Sequence, residues 1–185
     1  MGDLLSTCGC TNPDEECTKE VVARVWVAPA GPVLLGNVFP ARPNPPRKVP
    51  RSTSSLSRAA SEANATFRAY HEDRSVIIDP FLVEPNGDAW GYFAVYDGHG
   101  GSEAVDAVKA QLHILVLDEL VRVTRAGPVT DAVVAGVLTR AFRRVDEQLK
   151  LLGPATWQCG CTATVVLSHR TAARLRLHVG VLRDL

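Results

Sequence analysis

Two long helical periodicities stand back to back in this chain with β-type runs before and after them, and that order restricts the fold more than any other feature. In the first, Val105, Val108, Leu112, Leu115 and Val121 recur at helical spacing. Ser102 is placed to cap it, Glu103 and Asp106 lie at its positive end, and Gly127-Pro128 stop it. The second starts after Thr130, carries Val134, Val137, Leu138, Phe142, Val145 and Leu149 on one face, and ends at Gly153-Pro154. Each helix has one apolar stripe and needs a layer to lie on.

The β-type runs supply that layer. "RSVII" (Arg74 to Ile78) reads as a short strand, Asn86-Gly87 as a turn, and the aromatic, β-branched run Trp90 to Tyr96 as its antiparallel neighbour. After the helices, Thr162 to Leu167 is a continuous β-type run, and "SHRT" turns the chain. Then Ala173, Leu175, Leu177, Val179 and Val181 alternate with Arg174, Arg176, His178 and Gly180, which predicts a strand with the apolar set on a buried face and the other face wet. Strand, strand, helix, helix, strand, strand, with two adjacent helices between antiparallel pairs, points to an α+β sandwich in which helices cover sheets, rather than a βαβ repeat.

A chain of 185 residues is enough for one domain with a tail. The division expected is an N-terminal extension over 1–60 and a folded portion over 61–185. Within the extension, 41–60 reads "ARPNPPRKVPRSTSSLSRAA", rich in proline and then serine, basic and without an acid, the composition of a flexible linker. The serines after Arg51 and the Arg58-Ala-Ala-Ser61 sequence are candidate kinase sites in it, and Val21 to Val27 is a candidate edge strand. A formal net charge of zero gives no electrostatic case for nucleic acid.

Five cysteines in two separated groups, with no signal-peptide pattern, point to reduced thiols in a cytoplasmic protein. The start, "MGDLLSTCGC", fits an N-myristoylation pattern at Gly2, with Cys8 and Cys10 as candidate palmitoylation sites. One acyl chain binds a bilayer only marginally, so peripheral membrane contact would need the second lipid, and an unmodified terminus is the alternative.

The chemistry gathers at "YFAVYDGHGG", 92–101. Asp97 stands where an apolar strand emerges ahead of a helix, a rigid mounting for a carboxylate that holds a hard cation. Gly98 leaves its own carbonyl approachable as a second ligand, and His99 is a candidate proton donor. An Asp-Gly pair after a strand ordinarily marks a hairpin, but a helix follows this one. Upstream, "FRAYHED" puts Arg68 and Glu72 ahead of a strand expected to pair with the one carrying Asp97, which would bring a guanidinium for phosphate toward two acids for cations. An exposed Arg–Glu pair on a loop is the alternative.

"FAVYDGHGG", preceded by "FRAYHED" and followed by "CGCTATVVL", resembles the type 2C metal-dependent protein serine/threonine phosphatases, the PPM family. The resemblance runs from about Ser61 to Leu185 and implies the family's β-sandwich flanked by helical layers, here as an N-terminal portion. It implies a pair of Mg2+ or Mn2+ ions, with Glu72 holding one, Asp97 bridging both and Gly98 giving its carbonyl. Arg68 would clamp the phosphate of a phosphoserine or phosphothreonine protein substrate, His99 would protonate the departing oxygen, and Asp73 would act as an outer acid. An in-line attack by a water acidified by the metals is the implied reaction.

Two departures bear on activity. "NATFRAYHED" lacks the glycine that commonly precedes the arginine. The family's G-D-S-R element has only "VLRDL" as its counterpart, with Arg183 in place of the glycine and Asp184 at the aspartate, and the D-G-x-x-D and D-N elements that supply further metal ligands are not in the sequence. The expectation is therefore a fold incomplete at its C-terminus and a phosphatase truncated and weakly active or inactive as this chain. The alternatives are a pseudophosphatase that binds partners without turnover, or an interaction module that completes its half-sandwich with another chain.

Overall fold

A computed structural model describes the backbone of Val21–Val27 and, in full, residues 52–54, 60 and 71–183. Arg68, Asp184 and the candidate lipidation residues Gly2, Cys8 and Cys10 lie outside the described residues. The elements are β1 (Val21–Val27), β2 (Arg74–Val83), β3 (Ala89–His99), α1 (Glu103–Ala126), α2 (Asp131–Leu151), a 3-10 turn (Gly153–Thr156), β4 (Gly160–Arg170) and β5 (Leu175–Leu182). All strands form one antiparallel sheet in the order β1-β5-β4-β3-β2. Both helices lie on one face of it, α1 over β2 and β3 and α2 over β5 and β1. The expected α+β class is present as a partial fold, and the strands of the described residues make a single sheet with helices on one face rather than two antiparallel pairs in separate sheets.

Alternation along β3 decides which side is core. Trp90, Tyr92, Ala94 and Tyr96 are buried under the helices, whereas Val95 is 57% exposed on the opposite face. Cys161, Ala163, Val165 and Leu167 of β4 continue the inner layer, and Val108, Leu112, Leu138 and Phe142 meet them from α1 and α2. Burying each large side chain of this layer contributes about 1.5–3 kcal/mol.

The strand ends run beyond the sequence expectation. β2 extends past Ile78 to Val83 through a register shift between Ile78 and Leu82, and β3 continues through Asp97 to His99 because Gly160 and Cys161 pair with it there. Helix ends differ in kind. The Thr130 hydroxyl accepts from the Val133 N–H at 3.3 Å, whereas Ser102 occupies the N-cap position of α1 without a side-chain cap hydrogen bond.

β5 is reversed relative to its sequence reading. His178, Gly180 and Leu182 face the helices and are buried, while Leu175, Leu177, Val179 and Val181 lie half-exposed on the far face. Two local packings cause this. The glycine at 180 admits α2, since a Cβ there would come within 3.0 Å of Leu138 and 3.1 Å of Phe142. His178 lies under the core with its ring centroid 5.9 Å from that of Trp90.

Two pieces ahead of Ser61 belong to this structure. β1 pairs along β5 from Val21↔Leu182 to Val27↔Arg176. Residues 52–54, within the stretch read as linker, are seated on the sheet: Thr53 is 1% exposed and lies over Gly91. No helix among the described residues is long and apolar enough to cross a membrane.

Candidate active site

The corner at the end of β3 is built by backbone approach. Arg74 pairs with Tyr96 as the first rung between β2 and β3, and the residues just before it run up against the strand end. A Cβ on Gly98 would come within 2.7 Å of the Glu72 carbonyl oxygen and 3.0 Å of Val105, so only glycine lets the lead-in segment and α1 close on this strand. The carboxylate of Glu72 accepts a hydrogen bond from the Gly101 N–H at 2.6 Å, which ties that segment to the turn between β3 and α1. Gly100 has a φ of +73° and packs on the Gln158 carbonyl. The loop before β4 thus forms the other wall, with Cys159 against Gly101 and Cys161 paired with Gly98.

Asp97 and His99 are exposed and project from the outer face of β3, the face turned away from the helices. Their partners on β4 are Thr162 and Gly160. Asp73 is half-exposed, its Oδ2 3.4 Å from His71 Nε2. The structure therefore gathers Glu72, Gly98 and Gly101 by contact and places Asp97 and His99 on the strand end beside them. No group of three or more His, Cys, Asp or Glu side chains suited to a metal is assembled among the described residues.

Arg74 is a positioning residue that the sequence reading passed over. Its Nε lies 2.8 Å from Asp106 Oδ1 in the first turn of α1, and its Nη1 donates to the carbonyls of His71 at 2.9 Å and Asp73 at 3.1 Å. One guanidinium thus holds the backbone on both sides of Glu72 to the start of α1. The available signal was an arginine opening the strand after "HED", but its partner Asp106 stands in a separate element and reads there only as a helix-dipole acid.

At the opposite end of the sheet, Glu84, Asp88, His169, Arg174 and Arg176 line a cavity of about 480 Å³. His169 stacks on Trp90 with centroids 3.8 Å apart, and Trp90 Nε1 donates to Glu84 at 2.7 Å. Burial, reinforced by His178, Arg176 and Arg174, pushes the His169 imidazole down to about 4, against the opposing pull of Asp88.

Residues 57–182 match the family described as protein phosphatase 2C. The human "Probable protein phosphatase 1N" is 36% identical over 140 residues, 76% of this chain and 31% of that protein. "Protein phosphatase 2C homolog 1" of Saccharomyces cerevisiae is 33% identical over 108 residues, 57% of this chain and 34% of its own length. An Arabidopsis thaliana relative, "Probable protein phosphatase 2C 75", is 33% identical over 111 residues, 55% of this chain and 25% of its own length. The chain spans about a third or less of each of these relatives and, with the family match covering most of its described residues, it belongs to the protein phosphatase 2C family.

Proposed function

We propose that this chain contributes the Asp97 corner of a metal-dependent protein serine/threonine phosphatase that hydrolyses phosphoserine and phosphothreonine monoesters. The observation that carries the reading is the closure of Glu72 on Gly98 and Gly101 at the end of the strand that bears Asp97 and His99. Two carboxylates and a backbone carbonyl are hard oxygen donors, a set that fits Mg2+ or Mn2+ in kind. Glu72, Asp97 and the Gly98 carbonyl are the residues that would hold the ions. When bound, two such cations neutralise phosphate charge and make an attacking water acidic.

The chain's own residues divide the remaining work. Glu72 keeps one carboxylate oxygen on the Gly101 N–H, which leaves the other for a cation. His99, exposed on the same strand face as Asp97, is assigned the proton that the departing serine or threonine oxygen requires. Arg68 is assigned the substrate phosphate, which a guanidinium grips through paired hydrogen bonds. Asp73 is assigned an outer, charge-supporting place. Acylation at Gly2 with Cys8 or Cys10 would add peripheral attachment at a cytoplasmic membrane face.

A hard cation takes roughly six oxygen ligands, so these three donors hold it weakly without water or further groups, and this chain alone is proposed to turn over slowly. Phosphate release from a phosphoserine peptide in Mn2+ tests the reading. Slow release that Asp97→Ala abolishes supports it. Binding of Mn2+ and of the phosphopeptide with no release under any divalent metal would favour a partner-binding protein without turnover, and the absence of a larger acid cluster among the described residues is what keeps that second reading in view.

A further inference from the structure

Asp79, in the irregular stretch of β2, is the anchor of a three-residue strap that crosses the sheet. Its Oδ2 accepts from Ser52 Oγ at 2.6 Å, Ser54 N at 2.9 Å and Ser54 Oγ at 2.6 Å. Its Oδ1 accepts from Thr53 N at 2.7 Å and Thr53 Oγ1 at 3.0 Å. Thr53 completes the seat: its hydroxyl lies 2.5 Å from Ser168 Oγ, and its carbonyl accepts from Arg170 Nε at 2.9 Å and also from Arg170 Nη2. Gly91 is the floor, since a Cβ there would approach Thr53 Oγ1 to 2.5 Å. One ionised carboxylate therefore takes five hydrogen bonds from three consecutive residues, and the strap depends on it.

The same residues carry a recognition pattern for another enzyme. Arg51 stands three positions before Ser54, with Arg47 and Lys48 further upstream, the spacing read by arginine-directed serine kinases. This strap lies ahead of residues 57–182, the part that matches the family. We propose that Ser54 is a phosphorylation site for an arginine-directed protein kinase, and that its phosphorylation and its docking on Asp79 exclude one another. The kinase transfers the γ-phosphoryl group of MgATP to Ser54 Oγ; the hydroxyl proton is lost, the bridging P–O bond of ATP breaks and ADP departs. Phosphoserine carries a charge of about −1.5 to −2 and no hydroxyl donor. It would remove the 2.6 Å hydrogen bond and set two anions against each other where Asp79 now sits.

Kinases bind substrates as extended segments, so the docked strap is protected and only its released form is modified. Phosphorylation then holds it released.

The test incubates the whole chain with the catalytic subunit of an arginine-directed serine kinase and MgATP, with phosphosites mapped and timed by mass spectrometry. The comparators are Asp79→Ala, Arg170→Ala, Arg51→Ala and a synthetic peptide of residues 45–64; Ser61, with Arg58 at the same spacing, is the internal reference. Expected are phosphate at Ser54, at least fivefold faster labelling of Ser54 relative to Ser61 in Asp79→Ala and Arg170→Ala, equally fast labelling in the peptide, and loss of the site in Arg51→Ala. Amide exchange of Thr53 and Ser54 should rise once Ser54 is modified. Should Asp79→Ala fail to fold, Arg170→Ala and the exchange measurement decide the matter. Labelling of Ser61 with none at Ser54 in the peptide or the variants would overturn the site, and a phosphorylated chain that kept Thr53 and Ser54 protected would overturn the exclusion.

Discussion

The Glu72 carboxylate takes the Gly101 backbone N–H at 2.6 Å, so the residue assigned to a metal also fastens the segment before β2 to the turn after β3. These two roles separate by substitution. Glu72→Gln keeps an oxygen acceptor for Gly101 and loses the charge, whereas Glu72→Ala loses both. Amide exchange at Gly101 should stay slow in Glu72→Gln and rise in Glu72→Ala, with a stability loss of about 1–3 kcal/mol only in the latter. Mn2+ affinity, read by calorimetry, should fall in both. Equal exchange at Gly101 in the two variants would contradict the fastening role.

Arg74 should behave as a positioning residue. Arg74→Ala frees the His71 and Asp73 carbonyls and the Asp106 carboxylate, and Mn2+ affinity should drop severalfold although no donor assigned to the metal has been removed. Asp106→Asn, which retains an acceptor for the guanidinium, should be milder. The comparison is made by calorimetry at matched folded fractions.

Gly100 tests the turn itself. At a φ of +73°, with the Gln158 carbonyl where a side chain would go, Gly100→Ala should cost about 2–4 kcal/mol in urea unfolding. Gly87→Ala, also at positive φ (+90°) but with nothing within 4 Å of the added Cβ, should cost less.

Acid should unfold the end of the sheet remote from Asp97. His169 is held down to about 4, and burial also lowers His178, so the unfolded chain binds more protons than the folded one below the ordinary histidine value near 6.5. Stability is full above that value and declines as pH falls from about 6.5 toward 4. Asp79, also lowered in the fold despite the upward push of its own burial, adds a loss below about 4 as its bonds to Ser52, Thr53 and Ser54 give way. Thermal melts from pH 7 to pH 4 should show the decline, and His169→Gln should flatten its upper part.

What the sequence made legible was whatever is written in consecutive residues. The apolar run that breaks at Asp97 into glycines around His99 located the corner, and the apolar stripe that begins after Thr130 located α2. Contacts between distant residues were not legible. The alternation in β5 was read with the wrong face inward because Gly180 counts as a gap in a pattern, while in the fold that gap is what Leu138 and Phe142 fill. Asp79 beside Pro80 reads as a turn residue, and nothing local announces that it collects the hydroxyls of Ser52, Thr53 and Ser54 from 25 or more positions upstream. Arg74 escaped for the same reason.

The proposal that Glu72, Asp97 and the Gly98 carbonyl together take divalent cations can be tested by titrating Mn2+ into the isotope-labelled chain and following paramagnetic loss of backbone amide signals. The amides of 72–73 and 97–101 should disappear first, and Asp97→Asn should spare them at the same Mn2+ concentration. Loss centred instead on Glu84, Asp88 and His169, or loss at 97–101 that Asp97→Asn leaves unchanged, would contradict it.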